Sequence, residues 1–140
     1  MYEYKCEIKR IVDGDTVDVV IDLGFDIFYK SRVRLYGIDT PESRTRDKDE
    51  KVRGLMSKAY LKEWLDKGDV VIKTHKDKKG KFGRVLGEMY VAGRNINLMM
   101  VDDSHAVKYE GQSKKDIEDE HLVNRQTLIE KKLFNPHEVK

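Results

Sequence analysis

Three short segments of the chain carry side chains suited to polar chemistry. They are Asp13-Gly14-Asp15-Thr16-Val17, Arg34-Leu35-Tyr36-Gly37-Ile38-Asp39-Thr40-Pro41-Glu42 and Lys81-Phe82-Gly83-Arg84. Carboxylates can hold a hard cation through oxygen or accept a proton. Guanidinium groups present a fork of donors to carboxylate or phosphate oxygens. Singly, none of the segments is diagnostic. The first reads as a tight turn entering a strand. The second reads as a strand end followed by a helix cap, with Thr40 as cap and Pro41 at the first helical position. The nine residues after it lack helical character, so a cap accounts for the Thr-Pro pair only in part, and the stretch also places Arg34, Asp39 and Glu42 close together. The third reads as a positively charged hairpin tip.

The elements that must position these residues follow from periodicity. Residues 4–12 alternate polar and apolar as a half-buried strand does. Thr16 to Leu23 is rich in β-branched residues, and Ile27 to Tyr36 reads as a third strand, which together predict an antiparallel meander. Ser43 to Lys51 is polar and aperiodic, a loop. Glu50 to Lys67 reads as a helix whose buried stripe is Val52, Leu55, Met56, Ala59, Tyr60 and Trp64, ended by Gly68. Val70 to Thr74 and Val85 to Val91 read as hairpin partners, Asn95 to Val101 as a short helix, and His105 to Gly111 as a loop. Ser113 caps a last helix to about Leu133, with Ile117, Leu122, Val123, Leu128 and Ile129 facing inward. No linker or repeat divides the chain, so residues 1–140 are expected to form a single domain. The expected class is α+β, a five-stranded OB-type β-barrel with about three helices, a fold that often binds nucleic acid but shows no function by itself.

Composition narrows the classes. With 28 basic and 26 acidic residues the net charge is only +2, so nucleic-acid binding must come from local patches. Lys73, Lys76, Lys78, Lys79, Lys81 and Arg84 form one such run, which as a solvated loop needs no ligand at all. Cys6 is the only cysteine, which excludes an internal disulfide. No two of the four histidines have the spacing of a shared helical face, so His75, His105, His121 and His137 are expected at the surface rather than as ligands. The N-terminus has no signal-peptide pattern and no apolar run spans a membrane, giving an expectation of a cytoplasmic protein.

The ordered combination of the three segments is far more specific than any one. An aspartate after the first strand, Arg34 to Asp39-Thr40-Pro41-Glu42 after the third and Phe82-Gly83-Arg84 before the fifth occur in the order of the staphylococcal nuclease (thermonuclease) family. The chain resembles that family from about Lys5 to about Leu133. The resemblance implies a calcium-dependent nuclease acting on DNA and RNA, as a monomer, leaving 3′-phosphate and 5′-hydroxyl ends. It implies Asp15, Asp39 and the Thr40 carbonyl as calcium ligands, Glu42 as general base, and Arg34 and Arg84 as phosphate grips. Lys81, Phe82 and Tyr109 match substrate-binding positions. Phe82 stands where the staphylococcal enzyme has a tyrosine, Gly80 where it has an aspartate, and Tyr109 is the one clear counterpart of two stacking tyrosines. That ring can stack on a base or pack on the barrel, and Arg44, Arg46 and Lys48 in the neighbouring loop can attract phosphates or merely be solvated. The alternative function is a non-catalytic nucleic-acid-binding OB-fold module; the presence of Asp15, Arg34, Asp39, Thr40, Glu42 and Arg84 argues against it.

Overall fold

The computed structural model describes residues 2–76 and 84–140, and of Arg84 the backbone only. Strands β1 (Glu3–Asp13), β2 (Thr16–Asp22) and β3 (Phe28–Leu35) form the antiparallel meander. A two-residue strand β4 (Ile38–Asp39) and helix α1 (Lys48–Leu65) follow. Strand β5 (Val70–His75) pairs antiparallel with β1 and with β6 (Arg84–Val91). Strand β6 then lies parallel to β3, with Arg32 beside Arg84 and Arg34 beside Leu86. That pairing closes a mixed five-stranded barrel in the order β1-β2-β3-β6-β5, the α+β OB-type architecture expected from the sequence. The remaining elements are β7 (Arg94–Asn95), α2 (Ile96–Asp102), β8 (Val107–Lys108) and α3 (Lys114–Glu130). Among the described residues, no helix is long and apolar enough to cross a membrane.

Strict alternation fills the barrel. Val17, Val19 and Ile21 of β2 and Val33 and Leu35 of β3 are buried, so Arg34, between two inward residues, lies on the outer side of the wall. The alternation breaks in β1, where a register shift between Ile8 and Arg10 leaves Lys9 and Arg10 consecutively exposed. One buried polar side chain joins the layers. Asn97, at 1% exposure, donates to the carbonyls of Tyr36 (2.9 Å) and Gly87 (3.1 Å) and accepts from the amide of Met89 (3.1 Å). Both its amide hydrogens and its oxygen are engaged, which makes its burial tolerable and pins α2 to the end of β3 and the middle of β6.

The helices depart from the expected stripes. In α1 the inward residues are Arg53, Gly54, Ser57, Leu61 and Leu65, while Leu55 is left 46% exposed. Close approach of backbone requires glycine at position 54, while Tyr60 and Trp64 of the expected stripe are half-buried and pack on the core. In α3 only Leu128 is buried, and Leu122 and Val123 are exposed. Polar contacts dock this helix instead, including Asn124 Nδ2 to the Ala106 carbonyl (3.0 Å) and Arg125 Nη2 to Asp49 (3.0 Å). Helix α1 begins at Lys48, inside the expected loop, with Asp47 accepting from the Glu50 amide as cap. It ends at Leu65, with Asp66 as its C-cap, ahead of Gly68. The expected loop after His105 contains β8, paired with β4.

Of the four histidines only His137 is fully at the surface. His75 stacks on Tyr36 with ring centroids 3.7 Å apart, and His105 is buried against Tyr60 at 4.7 Å. Loss of water around His105 holds its pKa below the ordinary value; Asp103 opposes this and Lys131 adds to it. The unfolded chain therefore binds a proton near the usual histidine pKa that the folded chain binds only at lower pH, so stability present above that value is lost as pH falls through it. Between about pH 7.5 and about pH 5, the urea midpoint is expected to fall further for the wild type than for His105→Phe. Parallel falls would show that His105 does not carry the effect.

Candidate active site

The site is assembled from two chain reversals on the outside of the barrel wall. Asp15 lies in the turn between β1 and β2, tied down by its carbonyl, which accepts from the Leu35 amide at 2.8 Å. Asp39 ends β4, whose partner β8 fixes its backbone opposite Val107. Arg34 bridges the two reversals, with Nη1 3.2 Å from Asp15 Oδ2 and Nη2 3.5 Å from Asp39 Oδ1. The amide of Thr40, which is buried, donates to Asp15 Oδ2 at 3.2 Å. Asp15, Arg34, Asp39 and Thr40 are thus brought together as expected.

Glu42 sits at the exposed edge of this group, and small residues hold its backbone there. Its amide donates to Glu50 Oε2 (2.9 Å) in the first turn of α1, and the Ser43 hydroxyl donates to Asp13. Gly54 of α1 faces the same point. A Cβ at that residue would lie 2.4 Å from the Glu42 carbonyl oxygen and 2.7 Å from the Ser43 nitrogen, so only glycine permits the approach. Gly14 makes a similar approach, its hypothetical Cβ falling 2.8 Å from Ser57 and 3.1 Å from the Thr40 side chain. The Glu42 carboxyl is pushed above the usual range, first by partial loss of water and then by the fields of Asp15, Asp13, Asp39 and Glu50. A carboxyl so placed holds its proton more readily than a free glutamate, a property of general bases.

Sequence reasoning missed His121. From α3, its Nε2 lies 2.7 Å from Asp39 Oδ2, the oxygen that Arg34 does not approach. Its other ring nitrogen, Nδ1, is buried without a partner among the described residues. A lone histidine in a charged helix gives no sign of a partner 82 residues upstream. Two further residues lock α3 to the site: Asp49, in the first turn of α1, pairs with Arg53 (2.8 Å) and Arg125. Burial alone would raise the Asp49 pKa, but hydrogen bonds from Arg125 and Arg53 outweigh it and hold the carboxyl below its usual range.

Of the other expected residues, the backbone of Arg84 lies beside Arg32, one strand over from Arg34. Lys81 and Phe82 lie outside the described residues. Tyr109 donates its amide to the Gly37 carbonyl at 2.8 Å, just beyond β8, so its backbone is anchored to the turn before Asp39. The donors for a metal are all oxygen, two carboxylates held within reach of one guanidinium plus the backbone at Thr40, which suits a hard cation. Among the described residues no three His, Cys, Asp or Glu gather closely enough to enclose an ion. In chemistry this donor set fits a hard ion with an open coordination shell.

Comparison with known proteins converges on one family. A family model described as staphylococcal nuclease homologue matches residues 32–133. The thermonuclease of Staphylococcus intermedius is 29% identical over 99 residues, 71% of this chain and 56% of that protein. The micrococcal nuclease of Shigella flexneri is 31% identical over 116 residues, covering 76% of this chain and 59% of that one. The SPbeta prophage-derived endonuclease YokF of Bacillus subtilis is 29% identical over 119 residues, 78% of this chain but 38% of its own length. The chain spans about half the length of the curated relatives it matches.

Gly54→Ala tests how firmly α1 holds the Glu42 backbone. In a free helix this change is worth about 1 kcal/mol of stabilisation. Here the added methyl meets backbone, and a net loss of about 2 kcal/mol is expected in urea unfolding. A stabilised variant would show that the Glu42–Ser43 segment yields freely.

Proposed function

The chain belongs to the staphylococcal nuclease family, and on that premise we propose that it is a calcium-dependent nuclease that hydrolyses phosphodiester bonds of DNA and RNA. The observation that carries this reading is the joining of Asp15 and Asp39 by Arg34 with Glu42 at their edge. Asp15, Asp39 and the Thr40 carbonyl would hold the calcium ion. When bound, the ion supplies positive charge to a non-bridging phosphate oxygen and so favours addition at phosphorus.

The chain's own residues do the rest. Glu42 orients a water molecule and takes its proton as the water oxygen bonds to phosphorus. The P–O5′ bond breaks in line, and the 5′ oxygen leaves and acquires a proton, giving a 3′-phosphate and a 5′-hydroxyl. Charge builds on the equatorial oxygens as water adds, and the guanidinium groups of Arg34 and Arg84 stabilise that state more than the ground state. Lys81, Phe82 and Tyr109 would contact the nucleotide. Grips of this kind read phosphate rather than base, so sequence preference is weak and both DNA and RNA are accepted.

His121 acts on the same centre by fixing the orientation of Asp39. Its loss in His121→Leu is expected to weaken calcium binding about tenfold by titration calorimetry, with partial recovery in His121→Gln. Unchanged affinity in both variants would remove His121 from this role.

The central test follows acid-soluble fragments from denatured DNA, with calcium or with a chelator. Cleavage should require calcium. It should fall on the order of 100-fold or more in both Glu42→Gln and Arg34→Ala. DNA binding without cleavage by folded wild type would replace the nuclease reading with that of a binding module.

A further inference from the structure

The proposed chemistry occupies one phosphate, yet a nucleic-acid strand continues beyond it. A groove of about 580 Å³ lies between β1 and α1. Its rims carry four cations, Lys9 and Arg10 from the strand and Lys58 and Lys62 from the helix, against one acid, Asp66. Its floor is apolar, formed in part by Ile8, Ile11 and Leu55.

Both walls of the groove begin at the candidate site. On α1, Gly54, Lys58 and Lys62 recur every fourth residue and share one face. Gly54 touches the Glu42 backbone, so this row starts at Glu42 and runs outward with a cation every turn, about 6 Å apart. On β1, Ile11 and Arg10 lie just before Asp13, whose carboxylate accepts from Ser43 beside Glu42. The bulge that turns Lys9 and Arg10 outward together doubles the charge on this rim.

The cations are available. Lys58 and Arg10 have no ion pair among the described residues, and Asp18, opposite Arg10, is occupied by Arg32 at 2.9 Å. The pairs Lys9–Glu7 and Lys62–Asp66 are exposed and give way readily to a competing phosphate. Exposed Leu55, unexplained by the core, forms part of the floor.

We propose that this groove is an extended-strand subsite, in which single-stranded nucleic acid running from the cleaved phosphate lays its backbone on Arg10, Lys58 and Lys62 and its bases over the apolar floor. The inference rests on the nuclease reading for its substrate. Charge complementarity and the shared origin at Glu42 favour a nucleic-acid strand over an acidic protein, because a protein partner has no reason to start at the reacting end.

The test compares wild type with Arg10→Gln/Lys58→Gln, and with Lys114→Gln/Lys115→Gln on α3 as a control of equal charge. Binding of an oligothymidylate of roughly twelve residues is followed by fluorescence anisotropy in chelator, where nothing is cut. The groove variant should bind about tenfold more weakly, with a salt slope shallower by about 1.4, while the control follows wild type. With calcium, KM for the long strand should rise and cleavage of a dinucleotide should not change. Unchanged oligonucleotide binding in the groove variant overturns the proposal, as do equal losses on dinucleotide and long strand. Displacement of the oligonucleotide by polyglutamate at equal charge and affinity, without dependence on strand length, assigns the groove to an acidic protein and overturns it too. The binding arm needs no cleavage, so a protein that cuts nothing still reports on the groove, and loss of the nuclease reading is seen separately.

Discussion

A single guanidinium joins two parts of the chain that would otherwise repel. Arg34 reaches Asp15 in one reversal and Asp39 in another, and among the described residues it is the side chain that bridges the two carboxylates. Their proximity is unfavourable until a positive charge offsets it. The guanidinium supplies that charge, and under the proposed function the same group would meet phosphate once a cation held the carboxylates.

The positions of the acids are set by close packing of backbone on helix as much as by charge. Gly54 and Gly14 let α1 and the first turn approach Glu42 and Thr40 within distances that no side chain allows. Ser57, buried in the same face, gives its hydroxyl to the His105 carbonyl at 2.6 Å and so ties the helix to the segment before β8. Asn97 does the equivalent for α2, donating to the carbonyls of Tyr36 and Gly87. Small and polar residues in the interior mark the places where elements must meet at fixed distances, and the larger apolar residues fill the barrel.

This division explains what could be read from the sequence. The barrel strands were legible because alternation of Val17, Val19, Ile21 and Val33, Leu35 is a direct consequence of the pleat. Asp15, Arg34, Asp39 and Thr40 were legible as a group through the order of their segments and not through any one spacing. The stripe of α1 was legible in part: Tyr60 and Trp64 pack on the core, but Leu55 is exposed and the buried Gly54 and Ser57 carry no hydrophobic signal. The α3 stripe failed for a related reason: Leu122 and Val123 are exposed, and hydrogen bonds and ion pairs from His121, Asn124 and Arg125 dock the helix. Such contacts leave no periodic trace, since each depends on a partner far away in the chain.

The long reach of those contacts has a consequence for biosynthesis. The barrel cannot close until β6 pairs with β3, and β1 cannot find β5 until about half of the chain has been made. Asp39 meets His121 only 82 residues later, and Asp49 meets Arg125 after 76. A nascent chain emerging from the ribosome therefore carries Asp39 and Asp49 through more than seventy further residues of synthesis without the helix that braces them. The braced site forms only as α3 docks, which requires the chain to have been made at least through Glu130.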